Sequence, residues 1–205
     1  MKVLMLNGSP RRQGNCFAAL SEAGRTLAGL GIESEIFWLG SDPVRDCVAC
    51  GGCRGTGDPG KCVFDGDPVN EVIEKAQASD GFIFATPVYY AHPSGLILST
   101  LDRCFFAGSG AFANKPGAAI AVARRAGAVS ALDVLNKYFT INGMPVASST
   151  YWNVVFGAKP AEAAKDAEGM QTVRNLARSM ARLLGALEDA EEPLAERGSR
   201  TNFIR

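Results

Sequence analysis

The sequence predicts a doubly wound α/β fold, a five-stranded parallel sheet with helices on both faces, on the strength of three observations. The short runs at residues 3–6, 81–85 and 117–123 are apolar at nearly every position, as strands covered on both faces are. The segments between them carry apolar residues three and four apart, the spacing of helices with one buried face. The two kinds alternate along the chain, and alternation of buried strands with helices implies parallel pairing.

Each element follows in turn. Residues 2–7 form the first strand, which ends in the turn Gly8-Ser9-Pro10. Asn15 is expected to cap a helix carrying Phe17, Leu20, Leu27 and Leu30 that stops at Gly31. Residues 32–39 alternate apolar and polar, as in a second strand. Residues 40–66 lack any period and hold four cysteines among glycines and prolines; a loop of this length, inserted at 41–66, is usually functional. Pro68 starts a helix with Val69, Val72, Ile73 and Ala76 on one face. The third strand, 81–85, is expected to end at Thr86-Pro87, and Pro93 to open a helix carrying Leu96, Ile97, Thr100 and Leu101. Strand four, 117–123, breaks at Arg124-Arg125-Ala126-Gly127. A helix through Leu132, Leu135, Tyr138 and Phe139 ends near Asn142-Gly143. Residues 144–155 contain the last strand, and 160–187 read as one long helix. Five strands in this order fit a flavodoxin-like doubly wound sheet, whose ligands lie outside the carboxyl ends of the strands. Residues 1–187 are read as one domain and 188–205 as a polar tail.

Lys and Arg total 21, as do Asp and Glu, so no net field draws nucleic acid or an anionic membrane. No stretch reaches the roughly 20 apolar residues of a membrane span, and the first apolar run is too short for a signal sequence. A cytoplasmic location is therefore expected. Thiols stay reduced there, which turns the reading of Cys16, Cys47, Cys50, Cys53, Cys62 and Cys104 toward metal or redox chemistry.

The loops after strands one, three and four should meet at one sheet edge. The first, residues 8–16, offers hydroxyl, guanidinium and backbone donors ahead of a helix N-terminus, which suits an anion. It lacks both the dinucleotide glycine fingerprint and the P-loop lysine, so a monophosphate held without metal fits better. In the second, Pro87-Val88-Tyr89-Tyr90 places two aromatics where a planar heterocycle could lie. The third brings Arg124, Arg125 and Gly127 to the far side. His92, the one histidine, reads as a polar loop residue; multi-histidine metal and Ser-His systems are excluded.

Cys47-x2-Cys50-x2-Cys53-x8-Cys62 is the sharpest local motif. Four thiolates match the ligand count of a [4Fe–4S] cluster. Zinc prefers separated C-x2-C hooks, while bare thiols and a reversible disulfide remain open alternatives. Cys104 reads as a buried helix residue.

With these residues in view, the chain resembles the NAD(P)H-dependent FMN reductases of the flavodoxin superfamily, and within them the iron–sulfur flavoproteins. The resemblance lies in residues 6–11 with Gly14-Asn15, the cysteine loop through residue 67, residues 78–89, Leu101-Asp102-Arg103 and the ending 200–205. It implies FMN, with Ser9, Arg11, Gly14, Asn15 and Cys16 at the phosphate, although relatives often carry Ser or Thr in place of Cys16. It also implies Pro87, Val88, Tyr89 and Tyr90 flanking the isoalloxazine, and Arg124, Arg125 and Gly127 near the ring or ribityl chain. It implies a homodimer or homotetramer, with Arg103 and the tail serving a neighbouring subunit's pocket. The expected activity is oxidation of NAD(P)H through FMN with reduction of a quinone or flavin. The alternative is an FMN/[4Fe–4S] carrier exchanging electrons with a ferredoxin-like protein, its cluster on Cys47, Cys50, Cys53 and Cys62. No catalytic acid, base or nucleophile of the protein is needed for hydride transfer.

Overall fold

A computed structural model of the chain describes residues 1–57 and 60–191, with isolated positions 193, 196 and 201; residues 200 and 202–205, which carry the family-like ending, lie outside the described residues. Five parallel strands form the sheet: β1 (Lys2–Asn7), β2 (Glu33–Trp38), β3 (Gly81–Tyr89), β5 (Gly117–Ala123) and β6 (Val154–Phe156), in the order β2-β1-β3-β5-β6. This is the flavodoxin-like order, with its switch point between β1 and β3. A two-residue strand, β4 (His92–Pro93), folds back antiparallel on the end of β3.

The period-two geometry of strands sorts the core into two layers. Leu4, Leu6, Phe82, Phe84, Ala119 and Ala121 face one side and pack with helices α2 (Val69–Gln77), α3 (Gly95–Gly108) and α4 (Ala128–Ile141). Val3, Met5, Ile83, Ala85, Ala118, Ile120 and Val122 face the other and meet α1 (Asn15–Ala28) and α5 (Ala167–Leu187). The first layer is aromatic: Phe105 stacks on Phe112 at 4.5 Å between ring centres, Phe112 meets Phe82 at 4.9 Å, and Phe84 meets Phe139 at 5.1 Å. Strand β2 is an outer edge, so its residues are only partly buried.

Helix α1 ends at Ala28, which leaves Leu30 in the turn beyond it, and other boundaries also differ from the sequence reading. Gly14 rather than Asn15 caps α1. Strand β3 runs through Thr86-Pro87 to Tyr89, because β1 leaves it after Ala85 and Pro87 pairs only with Val122 of β5; a free flank tolerates a residue with no N–H. Pro93 belongs to β4, and Ser94 caps α3 by accepting the Ile97 N–H at 3.3 Å. The long last helix begins at Ala167, capped by Asp166; the chain before it makes a short turn at Glu162–Lys165 after a left-handed Ala161.

The narrowest packing in the second half of the sheet is at Gly117. A Cβ there would stand 2.5 Å from the ring of Phe139. Gly117→Ala is expected to destabilise the protein by about 1–3 kcal/mol, the usual cost of overpacking a filled core. The check is a lower urea midpoint at unchanged slope; an unchanged midpoint would mean that α4 can retreat from the sheet.

Candidate flavin-binding edge and cysteine recess

Three loops leave the carboxyl edge of the sheet, and each is tied to the next. The first begins where β1 ends at Asn7, whose buried side chain accepts the Ser9 N–H at 3.1 Å and donates to the Arg12 carbonyl at 3.1 Å. This side-chain-closed turn is the reason a polar residue ends an apolar strand. Ser9 Oγ accepts the Arg11 N–H at 3.2 Å, Trp38 Nε1 donates to the Ser9 carbonyl at 2.8 Å, and the Arg12 guanidinium lies 5.6 Å from the Trp38 ring centre. At Gly14 a Cβ would stand 3.0 Å from that of Arg11. No side chain caps α1, so the N–H groups of its first turn stay available to an anion.

The side chains of Asn15 and Cys16 point elsewhere. Asn15 Nδ2 donates to the Lys159 carbonyl at 3.0 Å and its Oδ1 accepts the Ala163 N–H at 3.2 Å. Cys16 is buried in the second core layer, and burial pushes its thiol up to about 12. Both can meet a phosphate only through the main chain. Ser9, Arg11 and Gly14 stay in the loop itself, with Arg11 exposed.

The second loop is a tight hairpin. Tyr89 pairs with His92 and Val88 with Pro93, and the turn residues Tyr90 (φ 52°) and Ala91 (φ 60°) are both left-handed. Two-residue turns of this hand normally use Asn-Gly; an L side chain there costs roughly 1–2 kcal/mol. The turn holds Tyr90 wholly exposed and Tyr89 half-exposed, beside partly buried Pro87 and Val88. Below it, Thr86 Oγ1 accepts the Ser94 N–H at 3.0 Å and Ser94 Oγ donates to the Gly8 carbonyl at 2.8 Å, which joins the second loop to the first. The third loop meets the hairpin at Gly127, where φ is 87° and a Cβ would stand 2.6 Å from Ala91 Cα. Arg124 and Arg125 are exposed and make no ion pair among the described residues. The edge is open. Beside it lie a recess of about 380 Å³ reaching from Arg125 and Gly127 to Tyr151 and Trp152, and one of about 350 Å³ between Arg12 and Trp38.

In the loop that follows β2, Cys47, Cys50, Cys53 and Cys62 line one recess of about 20 Å³ with Phe64, Arg103 and Phe106. Ala49 (φ 50°) and Gly51 (φ 73°) flank Cys50 and curl this segment. Cys62 is fixed from two sides. Asn70 pairs with its backbone like a neighbouring strand, accepting the Cys62 N–H at 2.9 Å and donating to its carbonyl at 2.9 Å. Arg103 Nε points at Cys62 Sγ at 3.3 Å. Arg103 further donates to the Phe64 carbonyl at 2.8 Å and the Arg45 carbonyl at 3.2 Å, and it pairs with Asp67. Burial opposes its charge, but Asp67 and Cys62 outweigh burial and raise its pKa. At 1% exposure Arg103 cannot serve a neighbouring subunit's pocket, as the resemblance implied; it holds the cysteine loop of its own chain. Among the described residues, no three His, Cys, Asp or Glu side chains gather closely enough to hold one metal ion. Cys104 is buried on α3, where desolvation raises its pKa.

Comparison with known proteins decides the family, since the profile of the NADPH-dependent FMN reductases matches residues 1–159. The chain belongs to the NADPH-dependent FMN reductase family. It is 33% identical over 195 residues to an iron-sulfur flavoprotein of Methanosarcina thermophila, covering 92% of this chain and 97% of the relative. An iron-sulfur flavoprotein of Methanocaldococcus jannaschii is 31% identical over 192 residues, covering 90% and 97%. Among solved structures, RosB with a bound 8-demethyl-8-formylriboflavin-5'-phosphate intermediate aligns at TM-score 0.69 and 17% identity, covering 100% of this chain and 94% of its own. The NAD(P)H:(acceptor) oxidoreductase FerB of Paracoccus denitrificans aligns at 0.64 and 17%, covering 90% and 97%. These likenesses carry the flavodoxin-like fold, and the family makes the chain an FMN-dependent flavin oxidoreductase. No helix among its described residues is long and apolar enough to cross a membrane.

For this FMN reductase family member, sequence reasoning missed Trp38, Asn70 and Ser94, and it misread the place of Arg103. The signal for Asn7 and Thr86 was present as polar residues at the ends of apolar runs, where a buried polar group needs a partner.

Two measurements test this geometry. Tyr90→Gly is expected to raise the stability of flavin-free protein by about 1 kcal/mol, by relieving the left-handed strain, and to weaken FMN binding; fluorescence titration and urea unfolding read the two effects. Iodoacetamide at pH 8 on native, metal-free protein should label only cysteines of the 47–62 loop. Cys16 and Cys104 should react after denaturant is added, and early labelling of either by peptide mass would contradict their burial.

Proposed function

We propose that the protein is an FMN/[4Fe–4S] flavoprotein that takes electrons from NAD(P)H and delivers them singly to a ferredoxin-like partner. The observation that carries this reading is the recess lined by all four loop cysteines, with Cys62 already fixed by Asn70 and Arg103. Four cysteines lining one recess supply the ligand count of a cube, in which each iron takes its own thiolate. Tetrahedral zinc would draw all of them to a single centre. The space is now that of about one water, so the segment 47–53 must swing outward to admit a cluster. Its fixings permit this: the Arg54 and Thr56 N–H groups bond within the loop, to the Gly51 and Cys53 carbonyls, and the Cys53 sulfur makes only a 3.9 Å contact to the Phe106 carbonyl. The iron–sulfur name of relatives that span nearly the whole chain points the same way.

When bound, FMN supplies hydride acceptance from NAD(P)H and a cluster supplies one-electron transfer. The chain's own residues bind and orient. Ser9, Arg11, Gly14 and the main-chain N–H groups of Asn15 and Cys16 would hold the phosphate at the α1 N-terminus, which no side chain caps. Pro87, Val88, Tyr89 and Tyr90 would flank the isoalloxazine, and Arg124, Arg125 and Gly127 would approach it from the third loop. The left-handed hairpin keeps this wall in place before the ligand arrives, so little ordering is left to binding.

A second reading, reduction of a quinone or flavin with the four cysteines as thiols, is favoured by the open flavin edge, which a small planar acceptor could reach. The deciding experiment is an absorption spectrum with iron and sulfide assays on anaerobically prepared protein, followed by NADPH oxidation with ferredoxin or quinone added. The expected result is FMN with about four irons per chain and turnover supported by ferredoxin. FMN without iron, with turnover on quinone alone, would overturn the cluster and leave the second reading.

A further inference from the structure

We propose that Arg103, with Asp67 as its counter-charge, sets the reduction potential of the centre held by the cysteine loop, acting through the sulfur of Cys62. The inference rests on the cluster reading above and goes beyond it, because it assigns a tuning role to two residues that ligate nothing.

Arg103 is on the third turn of α3, and its guanidinium reaches across the base of the recess. Its donors are divided. Nη1 and Nη2 serve the Arg45 and Phe64 carbonyls and the Asp67 carboxylate, which is the work of a loop anchor. Nε alone is turned to Cys62 Sγ, at 3.3 Å. A loop anchor has no need of the sulfur, since Asn70 already fixes the Cys62 backbone by two hydrogen bonds.

The charge sits where water cannot screen it. Arg103 is 1% exposed and always protonated, and a buried charge acts at low effective dielectric. One-electron reduction of a cluster adds one negative charge, with no bond made or broken and no proton required. A cation and an N–H donor at a ligating sulfur favour the reduced form and raise the potential. Asp67, whose side chain is 15% exposed, pairs with the same guanidinium and offsets part of its field. The pair therefore makes a prediction of sign that a packing role does not make. Removing Arg103 lowers the potential, whereas removing the charge of Asp67 raises it.

The test is a potentiometric titration followed by electron paramagnetic resonance, with dithionite as reductant, on full-length protein carrying FMN and reconstituted cluster. The proteins compared are wild type, Arg103→Lys, Arg103→Gln and Asp67→Asn, each assayed for iron and sulfide. Arg103→Gln is expected to disfavour reduction about tenfold, ~59 mV for one electron. Arg103→Lys, which keeps the charge and loses the fork, should fall between it and wild type. Asp67→Asn should shift the other way. If Arg103→Gln does not fold, Arg103→Lys and Asp67→Asn still carry opposite signs. Shifts in the same direction, or none, in proteins that hold their cluster would overturn the tuning role alone. A wild type that takes up FMN but no iron would overturn the cluster reading, and the tuning role with it.

Discussion

The close approach of Gly8 to both β3 and α3 is the constraint on which the flavin edge depends. A Cβ at this position would stand 2.8 Å from Ile97 and 3.0 Å from the Ala85 carbonyl. Because nothing fills that space, the Gly8 N–H reaches the Ala85 carbonyl at 2.9 Å and the Gly8 carbonyl receives Ser94 Oγ at 2.8 Å. The first loop is thereby fastened to the end of one strand and the start of one helix before any ligand is considered. Thr86, Ser94 and Gly8 form a short chain of satisfied polar groups at the point where β1 stops and β3 continues. Buried groups of this kind are costly when unpaired, so they fix the three segments in one arrangement.

The same logic explains where strain has been accepted. Among the described residues, five non-glycine positions have left-handed backbones, and three of them, Ala49, Tyr90 and Ala91, border the cysteine recess or the flavin edge. A position of that kind persists only when its surroundings overrule the local preference. At the hairpin, that surrounding is Gly127, whose missing side chain lets the third loop rest on Ala91. Glycine stands on the side that must be thin, while the side that faces outward keeps its tyrosine.

Most of the fold was legible because the strands are apolar on both faces and the helices are separated by clear turn residues. The alternation of the core between two layers follows from strand geometry alone. The misread boundaries have a common cause. Asn15 looks like a cap, but its side chain is committed 144 residues away to the Lys159 carbonyl, and tertiary partners of that range leave no local trace. Pro87 looks like a strand end, yet it falls where one flank of β3 is bare. The cysteine spacing identified the loop, but the two residues that hold it, Asn70 and Arg103, lie on helices where their neighbours read as ordinary amphipathic sequence.

Helix α3 connects the two sites. At its first end Ser94 binds the loop of the flavin edge, and on its third turn Arg103 binds the cysteine loop. Nine residues separate them, which at the rise of an α-helix is roughly 13 Å along one rigid axis. That axis is packed into the aromatic layer through Leu101, Cys104 and Phe105, so neither end can drift without disturbing the core. The 47–53 segment, by contrast, is held largely by bonds within itself. The protein thus keeps one cysteine, one guanidinium and one flavin-edge hydroxyl in a fixed frame, while the other three cysteines lie on a segment bonded mainly to itself. The separation between the Ser94 and Arg103 contacts is set by the helix between them.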